Sequence, residues 1–327
     1  MAQFASTKGA SFENLVAITG TDTNTLCEAT HLVGFKTYNA VVEKAVELCK
    51  DPYFGLHAGE NLNLAAAGLI AQLTQTCAHV EQALRLSCEF ANLGCSSLPM
   101  FLEENKSHFK LVLVPDLEWK ENSEIAFRHT VEGVLAFIIK EFQSLTLQKS
   151  KPLQINLPWR NQVGVDEYKR VWECPVLFDR NEISMLLSKE AVQQKIITAD
   201  YELFRVLIQH AEEKSARLIK EQGFAALVRQ SVVKMIKPEF PSIEQVASHL
   251  NTSVRSMQRK LKEERTNYSA LLDGLKKEFA LSYIKRTDLN MGDIAYLLHY
   301  NDLSAFNRSF KKWTGTSPSA YRKAITA

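Results

Sequence analysis

The sequence predicts two domains of different class: a mixed α/β (α+β) domain over residues 1–222, followed by an all-α domain over 223–327. The second is expected to hold two helix-turn-helix units joined by a long helix. Three observations predict this. The chain has 327 residues, room for two domains of ordinary size. Its charge is uneven under a total of +2: residues 226–327 carry 17 Lys+Arg against 9 Asp+Glu, a net of +8, while residues 1–225 carry 22 against 28, a net of −6. Finally, the last third repeats itself, and all six cysteines and six of the nine prolines lie before it.

Hydrophobic residues make up 46% of the chain and charged residues 23%, the balance of a soluble protein with a core. Apolar runs such as Val134–Ile139 are far too short to span a bilayer, so no membrane association is expected. Met1–Ala10 has one lysine and no apolar segment, and no secretion signal is read there. Cys27, Cys49, Cys77, Cys88, Cys95 and Cys174 include no CxxC pair. Reduced thiols and a cytoplasmic location follow as expectations.

In the first domain, Val41, Val42, Ala45, Val46, Leu48 and Cys49 predict a helix over Tyr38–Lys50, stopped by Asp51-Pro52. Val80–Leu93, Ser123–Leu145 and Asp200–Lys220 read as further helices. Phe109–Val114, Leu153–Leu157 and Val176–Phe178 are short strand-like runs edged by Pro115, Pro152, Pro158 and Pro175. Their order in a sheet stays open. Gly223–Pro241, where Pro238 and Pro241 bracket Glu239-Phe240, reads as a hinge region with a helix over Ala225–Ile236.

The second domain repeats. Ser242-Ile243-x-x-Val246-Ala247-x-x-Leu250 matches Asn290-Met291-x-x-Ile294-Ala295-x-x-Leu298 at an offset of 48, and Met257–Leu261 matches Phe306–Phe310 at 49. Each copy has the grammar of a helix-turn-helix, at about 242–263 and 290–313. Ser242 with Gln245 forms a capping box, and Asn290 with Asp293 a weaker version. Ile243, Val246, Ala247 and Leu250 share one apolar face, and Ala247 and Ala295 are expected to be buried where helices cross. Asn251-Thr252-Ser253 then starts a second helix with Val254, Met257 and Leu261 inside.

On the outer side of that second helix, Arg255, Gln258, Arg259 and Lys262 fall at i, i+3, i+4 and i+7. Ser304, Asn307, Arg308 and Lys311, with Lys312 beside them, occupy the same phase in the second copy, over Phe306 and Phe310. These side chains can hydrogen-bond base edges and phosphates. One such stripe is commonly only a solvated face. Two at matching phase in a region of net +8 point to double-stranded DNA. Leu272, Leu275, Phe279 and Tyr283 space a helix between the units, which would hold two readers for major grooves about 34 Å apart. Thr314–Pro318 reads as a helix stop, an N-cap and a proline at the first helical position.

The run Asp293-Ile294-Ala295-Tyr296-Leu297-Leu298, followed by Ser304–Arg322 with its Phe306-Asn307-Arg308-Ser309-Phe310-Lys311-Lys312-Trp313-Thr314-Gly315-Thr316-Ser317-Pro318 core, closely resembles the signature of AraC/XylS-type transcription regulators. The resemblance covers the chain from Ser242 onward. It departs at His299-Tyr300, where the family usually has Gly-Phe, and at Glu264-Arg265-Thr266, where Glu-Gly-Thr is usual. Asp51–Glu60 and Ala67-Gly68-Leu69-Ile70 resemble the N-terminal domain of members related to the ornithine-utilisation regulator, a domain type named arabinose-binding. The resemblance implies a transcription regulator, more an activator than a repressor, acting on an operator and on RNA polymerase. It implies small-molecule sensing or homodimerisation by the first domain, and it assigns no pocket residues.

An enzyme is the rival class: DNA-repair methyltransferases carry a related reader beside a reactive cysteine. Only Cys174-Pro175 offers a Cys-Pro step, and no histidine follows it. The cysteines lack zinc spacing, and the eight histidines form no HxxxH or HxH pair. No GxGxxG, Walker loop or GxSxG occurs. Trp119, Trp159 and Trp172 read as core or edge residues before pocket walls. No cofactor, no metal and no catalytic residue are therefore expected.

Overall fold

The computed structural model describes residues 1–22, 26, 33–62, 68–148, 150–160, 164–221, 223–236, 240–284 and 289–326. Cys27, Ala67, Pro238 and Glu239 lie outside the described residues. By compactness the chain divides into Met1–Ala211 and Glu212–Ala327. The division falls inside the helix Tyr201–Glu221, ahead of the expected 222/223 boundary. Ala211 is fully buried with Leu73 and Phe90 in the core of the first unit, so the start of that helix belongs there.

The first unit centres on the helix Glu124–Thr146, which is apolar around most of its circumference and buried accordingly. Ser123 caps it by accepting from the Ala126 N–H at 3.1 Å. A five-stranded sheet shares its core: β1 Met100–Glu104, β2 His108–Leu113, β3 Gln154–Asn156, β4 Val176–Leu177 and β5 Ile183–Ser188. The strand order is β1-β2-β5-β3-β4, antiparallel throughout except for the β3–β4 pair. Alternation sends Phe109, Leu111, Ile155, Ile183, Met185 and Leu187 into the core beside Val131, Leu135 and Ile139. On the opposite face Lys110 sits between Glu103 at 3.0 Å and Glu182 at 3.2 Å. The three expected strands are all present, and β1 and β5 are additional.

The helix Phe54–Glu60 lies against the long helix at backbone distance. A Cβ at Gly55 would stand 2.0 Å from the His129 carbonyl oxygen, and one at Gly59 would stand 2.1 Å from that of Gly133. No residue but glycine fits either place. The helix Phe35–Cys49 ends at Lys50 in the left-handed region, just before Asp51-Pro52. Asn39 ties it to the rest by accepting from the Trp119 indole N–H at 2.8 Å and donating to Asn122 at 2.9 Å. Trp119 and Trp172 are core residues, both almost wholly buried.

The second unit is helical throughout its described residues. Its helices are Phe224–Met235, Ile243–His249, Val254–Glu263, Tyr268–Tyr283, Met291–Leu297, Leu303–Thr314 and Pro318–Thr326. One expectation is corrected: the helix before Pro238 is no tether. Val228 and Val232 are fully buried in one core with Val246, Ala247, Met257, Leu261 and Leu275. Pro241 is tied down as well, its carbonyl accepting from the Tyr268 hydroxyl at 2.5 Å. An apolar i, i+4 pair facing the bundle is what draws this helix in.

Candidate nucleic-acid interface

Each unit of the repeat opens on a complete capping box. Ser242 accepts from the Gln245 N–H at 3.3 Å while the Ser242 N–H donates to the Gln245 side chain at 2.7 Å. Asn290 and Asp293 exchange the equivalent pair at 2.9 and 2.8 Å, so the second box is as complete as the first. Ala247 and Ala295 are buried, as their place on the apolar face requires.

Both first helices end in the same way. At Leu250 the chain turns through Asn251, and at Leu298 through His299, each in the left-handed region with φ of 49° and 54°. In both turns the two N–H groups after the cap reach back into the last helical turn: Asn251 to Ser248 and Thr252 to Ala247, then His299 to Tyr296 and Tyr300 to Ala295. This is the six-to-one and five-to-two pattern that closes a helix C-terminus. The helix Val254–Glu263 closes identically through Arg265, with φ of 57°. Thus both places where the chain lacks the usual glycine, Arg265 and His299, are left-handed positions.

The second helices of the two copies, Val254–Glu263 and Leu303–Thr314, are capped by Ser253 and Asp302, which accept from the N–H groups of Ser256 and Ala305. Met257 and Leu261 anchor the first from inside, and Phe306 and Phe310 the second; all four are fully buried. Outward, Arg255, Gln258, Arg259 and Lys262 are exposed on the first helix. On the second, Ser304, Arg308, Lys311 and Lys312 are exposed and Asn307 is half-buried. Among the described residues, none of these nine side chains makes an intramolecular hydrogen bond or ion pair.

Several cations of the first unit are instead paired with carboxylates. Arg85 pairs with Glu81, Arg128 with Glu132, Arg170 with Glu60 and Glu167, and Lys110 with Glu103 and Glu182. A surface groove of about 600 Å³ there is lined by Ala78, His79, Glu81, Gln82, Arg85 and Leu86.

The described thiols of this unit are all shifted away from nucleophilic chemistry, their pKa raised chiefly by burial. Burial pushes Cys174 up to about 12, against the pull of Lys151, and pushes Cys77 and Cys88 up to about 12 as well. A reactive cysteine needs the reverse shift. Among the described residues no cluster of His, Cys, Asp and Glu is arranged to hold a metal ion, and no helix is long and apolar enough to cross a membrane.

Sequence reasoning did not single out the polar cluster buried beside the close helix pair. Glu132, wholly buried, accepts from the Tyr168 hydroxyl at 2.6 Å and from Arg128 Nε at 2.9 Å. His129 Nδ1 accepts from the Gly55 N–H at 3.1 Å. The signal available was three ionisable residues in Arg128–Glu132, inside a stretch of the helix that is otherwise almost free of charge from Ile125 to Ile139.

Residues 9–196 match the family described as the arabinose-binding domain of AraC transcription regulators, and residues 246–324 match a helix-turn-helix domain family. The chain is 27% identical over 295 residues to the ornithine utilization regulator of Pseudomonas aeruginosa, covering 89% of this chain and 85% of that protein. It is 20% identical over 324 residues to an uncharacterized HTH-type transcriptional regulator, Mb1430, of Mycobacterium bovis, covering 99% and 94%. Among solved structures, the transcriptional regulator CdpR from Pseudomonas aeruginosa is 22% identical with a TM-score of 0.48, over 95% of this chain and 96% of that one.

Proposed function

This chain belongs to the family of AraC transcription regulators, and from that premise we propose that it activates transcription by seating its two reader helices in successive major grooves of one operator. It is a DNA-binding transcription regulator; the contacts and the control are our reading. Arg255, Gln258, Arg259 and Lys262 serve one groove, and Ser304, Asn307, Arg308, Lys311 and Lys312 the next. Arginine and the amide side chains suit base edges, and the lysines suit phosphates. The observation that carries this is the contrast in pairing. Among the described residues these nine polar side chains on two equivalent helices make no intramolecular hydrogen bond or ion pair, whereas Arg128, Arg170 and Lys110 of the first unit are each held by carboxylates. Unpaired donors at matching phase are available to an external polyanion.

The first unit, net −6 over 1–225, would repel DNA and has a core of its own. Its role in this reading is to receive a small molecule or a second copy of the chain and to change how the readers are presented. Such control requires the effector to favour one arrangement by typically about 1–3 kcal/mol. RNA polymerase is the partner of the DNA-bound form, and the cytoplasm the compartment. No catalytic step is assigned, since the buried thiols are held protonated.

The test is selection of duplexes from a random-sequence pool by the full-length chain. The expected result is enrichment of two motifs one helical turn apart, bound far more tightly than a shuffled duplex of equal composition. Equal affinity for both duplexes at physiological salt refutes the reading.

A further inference from the structure

We propose that Lys276, on the helix Tyr268–Tyr283 joining the two helix-turn-helix copies, is a positioning residue that sets the spacing of the reader helices by holding its ammonium between one aromatic ring from each copy. This rests on the reading of those helices as DNA readers. Lys276 Nζ lies 5.2 Å from the centroid of Phe240 and 4.6 Å from that of Tyr300. Phe240 precedes the first helix-turn-helix copy and packs against its core. Tyr300 belongs to the turn that leads into the second reader, and its ring packs on Phe306 at 5.7 Å and Trp313 at 6.4 Å. One cation thus engages a ring anchored in each half of the domain.

The chemistry favours this arrangement. A cation near an aromatic ring is attracted by the ring quadrupole, more strongly when partly removed from water. Lys276 is half-buried, and burial pulls its pKa down against the opposing charge of Asp273. Among the described residues its ammonium makes no hydrogen bond or ion pair, so the two rings are its close neighbours of complementary character.

At the departure from the usual Gly-Phe pair the ring gained is that of His299, which stands edge-on to Phe240 at 6.2 Å and adds a second contact between the halves. Phe279, one turn along the joining helix, meets Phe240 at 6.1 Å. Rotation of the second reader about the joining helix would separate these rings and strand the ammonium.

The experiment selects duplexes from random DNA with the full-length parent, Lys276→Met, Lys276→Arg and Tyr300→Leu, and reads the separation between the two enriched motifs. The parent and Lys276→Arg are expected to enrich one separation. Lys276→Met is expected to keep both motifs, broaden their separation by a base pair or more, and bind the parent's duplex about tenfold more weakly. Loss of stability alone does not alter a preferred separation. Tyr300→Leu reports the same quantity should Lys276→Met fail to fold. The proposal is overturned if the variant that folds keeps the parent's separation and affinity, or if Lys276→Arg and Lys276→Met change alike. A parent that enriches no duplex overturns the reader assignment and this proposal together.

Discussion

Glu264 closes the open end of the helix that Phe224 begins. Its two carboxylate oxygens accept from the N–H groups of Phe224 at 2.5 Å and Ala225 at 2.7 Å. Gly223, with φ of 98°, makes the approach possible, since a Cβ there would stand 3.0 Å from the same carboxylate. The C-cap residue of the helix Val254–Glu263 thereby holds the helix that precedes both helix-turn-helix copies. Glu264→Ala should lower the stability of the second unit by about 1 kcal/mol, the scale of a lost N-cap. Hydrogen exchange should locate the loss in the amides of Phe224–Met235.

The close pair of helices in the first unit gives a sharper expectation. Gly59→Ala forces a methyl group to 2.1 Å from the Gly133 carbonyl, which only separation of the two helices relieves. A loss of about 3 kcal/mol or more is expected from overpacking on this scale. Urea unfolding followed by the fluorescence of the buried Trp119 and Trp172 would measure it, and Gly34→Ala, in the same unit with nothing within 4 Å, is the control.

Arg265 is exposed and left-handed, a conformation that costs a non-glycine residue roughly 1–2 kcal/mol. Against it stands the extra chain entropy of glycine, about 0.5–1 kcal/mol. Arg265→Gly should therefore stabilise the second unit by about 0.5–1 kcal/mol in thermal unfolding. His299→Gly should gain less, because it also removes the ring packed on Phe240.

The second unit was legible because its logic is local. Capping boxes and i, i+4 apolar pairs each act within a few residues and are found where they were read, the second box being more complete than expected. What local pattern could not say is where a helix packs: the apolar pair Val228 and Val232 looks the same in a tether and in a core. The first unit was less legible for a related reason. Gly55 and Gly59 argue against a helix by propensity, and only the helix across from them explains their presence. β5 interrupts its apolar run with Ser184, which is wholly buried and accepts from Asn156 Nδ2 at 2.9 Å, a partner 28 residues away. The outward phase of Arg259 and Arg308 came from periodicity. The left-handed turns that aim those helices came through only as missing glycines.

Two groups in the first unit make its stability fall as pH rises, in different windows. The His57 ring nitrogens lie 2.6 Å from Asp51 and 2.7 Å from Glu167. Burial alone would lower its pKa, but the hydrogen bonds to Asp51 and Glu167 outweigh it and lift the value above the ordinary 6.5. Its contribution is complete below pH 6.5 and is lost as pH rises through the folded value, where the folded state keeps a proton the unfolded state has released. Burial pushes Glu141 up to about 7, against the pull of Lys140, so the folded state also holds an extra proton between about pH 4.5 and 7. His57→Gln should flatten the pH dependence of unfolding above 6.5, and Glu141→Gln should flatten it between 4.5 and 7. Parallel slopes in parent and variants would contradict both assignments.

The central claim is that two equivalent helices read DNA through outward arginines at matching phase. It is tested most directly by the affinity of the full-length chain for its selected duplex at physiological salt, with Arg259→Ala and Arg308→Ala compared with the parent. Each substitution should cost about 1–3 kcal/mol, the scale of one good base contact. Footprinting should place the loss in one motif for Arg259→Ala and in the other for Arg308→Ala. If both variants bind as tightly as the parent, these helices are not the readers.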